Sequence, residues 1–139
     1  MSEVHDSIRQ TVRDWARRSA PVARLREDCR HGWRQLWPEL ASLGLLSVAV
    51  PDRLGGGGGN HLDLAVALQA LSEELVPGPL LDTVTLTHGL AAHADALGRS
   101  RYDGLLAGVR TGSMAAEATA PLRFEQGLVS GRVLLQGDG

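Results

Sequence analysis

Residues Trp37 to Leu75, WPELASLGLLSVAVPDRLGGGGGNHLDLAVALQALSEEL, carry the pattern on which the fold turns. Leu36, Leu40, Ala41, Leu43, Leu45 and Leu46 follow the apolar side of a helical repeat, and Gly44 falls where a left-handed C-terminal cap belongs. The helix is therefore expected to stop near Leu43. Leu45, Leu46, Val48, Ala49 and Val50 then make an apolar run too short for a helix of its own and ended by Pro51, which reads as a buried extended connector. The glycines from Gly55 to Gly59 lose too much backbone freedom on ordering to hold regular structure. A glycine loop before a helix can cradle phosphate, but no Lys-Ser or Lys-Thr follows and no clear strand feeds this one at dinucleotide-fold spacing. A flexible link between two packed helices is the preferred reading.

Asn60 is a good N-cap for the helix that follows, and Asp63 suits its first turn. Leu64, Leu68, Leu71 and Leu75 recur at spacings that put them on one face, while Ala65, Ala67 and Ala70 would let a neighbouring helix approach closely. Val76, Pro77, Gly78 and Pro79 end the element.

Working outward, the chain has 139 residues, enough for one compact domain, and 43% of them are hydrophobic. Only 4% are aromatic, so the core must be built from Leu, Val and Ala, a composition that leans helical. A net charge of −2 with both signs interspersed gives no footprint for nucleic acid or an anionic membrane. The lone Cys29 excludes an internal disulfide, favours a reducing compartment, and reads as a helix-surface thiol. No segment reaches the roughly 18 apolar residues of a membrane helix, and the N-terminus is not signal-like, so a cytoplasmic location is expected.

Upstream, residues 3 to 19 read as a first helix with Val4, Ile8, Val12 and Trp15 inward. Its arginines 9, 13, 17 and 18 are interleaved with Glu3, Asp6 and Asp14, which favours a solvated face over a nucleic-acid contact. Pro21 breaks it, and Val22 to about Cys29 forms a shorter piece with Leu25 inward. Trp33 and Trp37 read as core anchors, and Pro38 suits a first turn, so the helix ending at Gly44 is expected to begin near Trp37.

Downstream, Leu80 to Leu97 reads as helical, with Leu86, Leu90, Ala94 and Leu97 as the packing face and Thr83, Thr87 and His88 on a neighbouring side. His88 and His93 lie five apart rather than the three or four of a helical metal pair, so no metal site is expected. Arg99 to Val109 is a last helix with Tyr102, Leu105, Leu106 and Val109 inward. Beyond Ser113 the pattern changes to short strands, Met114 to Thr119, Leu122 to Glu125 and Leu128 to Gln136, with Gly127 and Gly131 as turn points.

The ordered set Trp37, Glu39-Leu40, Leu43 to Leu46, Val50 to Asp52, the glycine loop, Asp63, Ser72 to Leu75 and Pro77 to Leu80 resembles the N-terminal domain of the acyl-CoA dehydrogenase family. The resemblance covers most of the chain. It implies a mainly α fold: an N-terminal helical bundle of the acyl-CoA dehydrogenase type over residues 1–112, followed by the first strands of a truncated β-domain at 113–139. The implied reaction is α,β-dehydrogenation of an acyl-CoA thioester with FAD as acceptor, in an enzyme that assembles as an oligomer with like or related subunits. Carried over by position, Leu81, Thr83, Val84 and Thr87 would line one wall of the acyl pocket, and Ala118 and Thr119 would meet the flavin. For the threonines, capping or bonding back to the preceding turn is an equal alternative.

The chain departs from the family where the flavin site begins. Thr119-Ala120-Pro121 stands in place of Thr-Glu-Pro, and the Gly-Ser-Asp that should follow is absent. The family's catalytic glutamate belongs to a later region, and Glu73 and Glu74 read as exposed helix carboxylates, so no catalytic residue is assigned. The chain is thus expected to be inactive alone, as the N-terminal part of a dehydrogenase. The alternative is a non-catalytic family remnant acting as a partner subunit or interaction module.

Overall fold

The computed structural model describes residues 2–112, except the side chain of Leu97, and the strand residues 117–118, 123–125, 128–130 and 133–134. The described chain is mainly helical. Its elements are α1 (Glu3–Ser19), α2 (Pro21–Glu27), α3 (Gly32–Ser42), α4 (His61–Glu73), α5 (Leu80–Gly89), α6 (Ala94–Leu97) and α7 (Arg99–Leu106), then β1 (Glu117–Ala118), β2 (Arg123–Glu125), β3 (Leu128–Ser130) and β4 (Val133–Leu134). β1 pairs antiparallel with β4, and β2 with β3 in the register Arg123↔Ser130, Phe124↔Val129 and Glu125↔Leu128.

α1 starts on a Ser2 cap and ends at Ala20, which takes a left-handed conformation and hands the chain to Pro21 at the first turn of α2. Its buried face is His5, Val12, Trp15, Ala16 and Ser19; Val4, expected inside, is 58% exposed. The face is rotated because His5 has a partner inside: its Nε2 lies 3.1 Å from Asp63 Oδ1 on α4. Arg13, Arg17 and Arg18 are exposed, as a solvated face requires, with Arg13 at Glu73 and Arg17 at Asp14, whereas Arg9, 3.6 Å from Asp6, has a side chain only 17% exposed.

α3 begins at Gly32 rather than near Trp37, and Pro38 sits in its interior. A proline there removes one helical bond to the carbonyl of Arg34, which lies on the exposed side where water can take it. Burial of Trp33, Leu36, Trp37 and Leu40 holds the helix through the gap. Gly32 is fixed by the approach of α2, since a β-carbon on it would stand 2.5 Å from the Arg24 carbonyl oxygen. Cys29 is exposed in the turn between α2 and α3, not on a helix.

Leu45–Ser47 is a 3-10 turn and not an extended connector, because Gly44 (φ 74°) reverses the chain and Ser47 N–H then donates to its carbonyl. The burial expected of this run does hold: Leu45, Leu46, Ala49 and Val50 are in the core. The glycine loop is also different from a flexible link. Gly57, Gly58 and Gly59 donate at 2.9 Å to the carbonyls of Ser47, Val50 and Val48, so the loop is bonded back along the segment before it. Gly55 and Gly56 donate to Asp52 and Pro51. All five N–H groups are committed inside the chain, which removes the phosphate-cradling reading.

On α4 the Asn60 side chain accepts from Leu62 and Asp63 N–H while the Asp63 carboxylate accepts from Asn60 N–H, a reciprocal capping box. The inward residues are Asp63, Val66, Ala67, Ala70 and Leu71, whereas Leu64 and Leu68 are half-buried and Leu75 is 69% exposed. Ala67 and Ala70 turn the helix this way by admitting α1, and Leu75 (φ 52°) lies beyond the helix, in the left-handed turn where Val76 N–H donates to Leu71. One core joins Val12, Trp15, Trp33, Leu36, Trp37, Leu40, Leu71 and Val84; a second gathers Val50, Leu54, Ala94 and Tyr102.

Candidate functional site

The element for which the family resemblance implies ligand contact is α5, and the aromatic pair on α3 sets where it starts. Trp33 and Trp37 meet edge to face with centroids 5.6 Å apart. Gly78 (φ 118°) lies across them: a β-carbon there would stand 3.3 Å from both rings. That close passage, followed by buried Pro79 at the N-cap, launches α5 over the core.

The structure gathers Thr83, Val84 and Thr87 on the inner face of α5 and leaves Leu81 66% exposed on the outer one. Thr83 Oγ1 donates to the Gly112 carbonyl and accepts from the Gly112 N–H, both at 3.2 Å. Thr87 Oγ1 donates to the Thr83 carbonyl at 2.6 Å, the back-bond of a helical threonine. The Thr87 carbonyl in turn accepts the Tyr102 hydroxyl at 3.0 Å. The expected packing face of Leu86 and Leu90 is only half-buried, because these bonds let Thr83 and Thr87 turn inward instead. Ala94 is buried as expected. α7 ends at Leu106, three residues early: Gly108 (φ 69°) turns the chain against Ala41 and Trp37, and Val109 is left 80% exposed.

Among the described residues, hollows lie elsewhere, and three of them are well defined. One of about 390 Å³ between α1 and α2 has an apolar floor of Ala16, Ala20, Pro21 and Val22 with Arg17, Arg26 and Glu74 around it. A second, of about 400 Å³, lies beside the 3-10 turn and α7, with Ser42, Ser47, Arg99 and Asp103. The third, about 600 Å³ between α1 and α4, is lined by Ser2, His5, Arg9, Leu62, Val66 and Gln69. None of the three is lined by Leu81, Thr83, Val84 or Thr87. Glu73 is exposed and accepts from the Gln69 amide, so it is engaged on the surface.

Charge is organised instead at Glu39. Its carboxylate accepts from the Ser19 hydroxyl at 2.5 Å and the Trp15 indole N–H at 3.0 Å, and Arg24 lies 3.4 Å away. The Ser19 hydrogen bond, aided by Trp15 and Arg24 and opposed by burial, holds this carboxyl below its ordinary value. The cluster ties α1, α2 and α3 together. Two further pairs escaped the sequence reading, His5 with Asp63 and His61 with His88, whose Nε2 atoms are 2.9 Å apart. Separations of 58 and 27 residues leave no periodic signal for either.

The model of the acyl-CoA dehydrogenase N-terminal domain matches residues 2–103, and the chain belongs to this family. FadE34, an acyl-CoA dehydrogenase of Mycobacterium tuberculosis, is 35% identical over 98 residues, 63% of this chain and 14% of that protein. FadE27 of the same organism is 41% identical over 59 residues, 42% and 16% of the two chains. The acyl-CoA dehydrogenase IpdE2 of Mycolicibacterium smegmatis is 34% identical over 87 residues, 60% and 28%. The chain thus spans between 14% and 28% of the length of these three relatives. No solved structure matches it.

Of the two positions carried over for the flavin, Ala118 lies in β1 opposite Val133 of β4, and Thr119 lies outside the described residues. A single described strand position does not make a flavin site, which needs donors converging on the ring and a place for the pyrophosphate. Among the described residues no helix is long and apolar enough to cross a membrane, and no group of three or more His, Cys, Asp or Glu could hold a metal ion.

Proposed function

We propose that this chain is the N-terminal helical part of a flavin-dependent acyl-CoA dehydrogenase and forms one wall of the acyl pocket. The family match over residues 2–103 carries the reading. The activity is α,β-dehydrogenation of an acyl-CoA thioester, for which FAD would supply the electron acceptor and residues outside this chain the base. Leu81 is the residue of the wall that meets the acyl group, with Thr83, Val84 and Thr87 as the layer that holds it in place. Residues 1–112 make up the helical domain and 113–139 open the β-domain, where Ala118 and Thr119 would face the flavin. The whole enzyme is a cytoplasmic oligomer.

Alone, the chain is inactive. The departure at Thr119-Ala120-Pro121 favours a second reading, in which it serves a motif-intact dehydrogenase as a non-catalytic partner subunit. Purified chain is to be titrated with FAD and assayed with acyl-CoA thioesters and an artificial electron acceptor. No turnover is expected, and stoichiometric flavin with acyl-CoA-dependent reduction would refute it. A reading frame continuing past Gly139 supports the first reading, and co-purification with a full-length dehydrogenase supports the second.

A further inference from the structure

His61, the first residue of α4, and His88, near the end of α5, meet at the surface with their Nε2 atoms 2.9 Å apart. The rings meet edge on, centroids 4.7 Å apart and planes at 81°, so this is a nitrogen-to-nitrogen contact and not a stack. An N–H···N bond at that distance uses one proton and one bare lone pair, so at least one imidazole is neutral at its contact nitrogen. The His88 Nδ1 is buried without a hydrogen-bond partner among the described residues. A bare nitrogen is the cheaper occupant of such a place, which assigns His88 as donor and His61 as acceptor.

We propose that His61 and His88 form a two-nitrogen clamp for a divalent late transition-metal ion, with water completing the coordination. Replacing the shared proton by an ion needs both Nε2 lone pairs, so the proton leaves Nε2 of His88 and the ring takes one up at Nδ1. With metal–nitrogen distances of about 2.0–2.1 Å, two nitrogens 2.9 Å apart subtend about 90° at the ion. That is the cis angle of square-planar or octahedral sites, the geometry of copper(II) and nickel(II). The unpaired Nδ1–H on His88 weakens the site relative to one with a supporting acceptor. The ion would tie the first turn of α4, just past the glycine loop, to the end of α5. His93, the histidine that the spacing argument paired with His88, is exposed on the following 3-10 turn and takes no part.

The probes are nickel(II) and copper(II) chlorides titrated calorimetrically into the 139-residue chain, with His61→Ala, His88→Ala and, as a control, His93→Ala. One tight equivalent is expected, weakened at least tenfold in either of the first two variants and unchanged in the third. Equal affinity in His61→Ala or His88→Ala overturns the proposal. Because His88 is partly buried, the unmodified chain gives an independent reading: the electron paramagnetic resonance spectrum of one equivalent of copper(II) must show two equatorial imidazole nitrogens. A single imidazole nitrogen overturns the clamp and leaves the family reading untouched.

Discussion

Gly56 lies against Val50 so closely that a β-carbon on it would stand 2.2 Å from the Val50 carbonyl oxygen. The contact is with backbone, which cannot swing aside, and neighbouring Gly57 and Gly59 are pressed against Val48 in the same way. Gly56→Ala is expected to cost about 2–3 kcal/mol or more, since the 47–50 segment carries core residues that would have to move. Gly44 has open space where its β-carbon would go and only its left-handed φ to lose, so Gly44→Ala should cost about 1 kcal/mol. Urea unfolding of the two variants checks the order. An equal or reversed ranking would mean that the loop is not docked as described.

Glu39 gives the fold a dependence on acid. Its folded pKa is depressed, so the stability it contributes is present above its ordinary value of 4.5 and lost as pH falls through the folded value. Thermal midpoints should therefore fall on acidification below about pH 4.5, and less steeply in Glu39→Gln. At neutral pH, Glu39→Ala leaves the Trp15 N–H and Ser19 hydroxyl without their acceptor. The loss expected is about 1–2 kcal/mol, the lower end favoured because the carboxylate is more than a third exposed and solvent screens it.

Tyr102 supplies the opposite limit. Burial raises the pKa of its phenol above 10.0, so the folded state keeps the proton longer than the unfolded chain does. Its contribution is complete below about pH 10 and is lost as pH rises beyond. Tyr102→Phe should remove that alkaline component and cost about 1 kcal/mol at neutral pH, because the Thr87 carbonyl loses its donor. Chemical denaturation at about pH 7 and pH 10.5 separates the two effects.

Local chemistry was legible in the sequence, and faces were not. The cap at Gly44, the Asn60 N-cap with Asp63 in the first turn, and the extent of α1 follow from residue types within one turn of each other, and all three stand in the structure. The inward faces of α1, α4 and α5 with α6 were legible only in part: Val12, Trp15, Leu71 and Ala94 are buried as expected, whereas Val4 and Leu75 are exposed and Leu86 and Leu90 half-buried. On α1 and α5 a polar group has a distant partner: His5 has Asp63 and Thr83 has Gly112, while Thr87 makes the local back-bond to Thr83. A periodicity argument treats such residues as outward, because the partner that makes burial affordable lies 29 or 58 residues away. The docking of the glycine run was hidden for a related reason: its conformational freedom is visible in the sequence, but its hydrogen bonds to the carbonyls of Ser47, Val48 and Val50 are not.

Leu81 and Thr83 offer the sharpest test of how α5 divides its work. Thr83→Val keeps the shape and removes both bonds to Gly112, so it should destabilise the chain by about 1–2 kcal/mol and raise amide exchange around residues 108–112. Leu81 is 66% exposed, and Leu81→Ala should change stability by less than about 0.5 kcal/mol. In the longer, flavin-loaded product that the proposed function requires, the roles reverse. Leu81→Ala should raise KM for acyl-CoA several-fold, since a lost apolar contact to the acyl group of about 1 kcal/mol corresponds to about fivefold, and should leave Tm where it was. Thr83→Val should lower Tm with KM held. If Leu81→Ala leaves KM unchanged over a series of acyl chain lengths, the outer face of α5 is not a wall of the pocket, whatever the family resemblance implies.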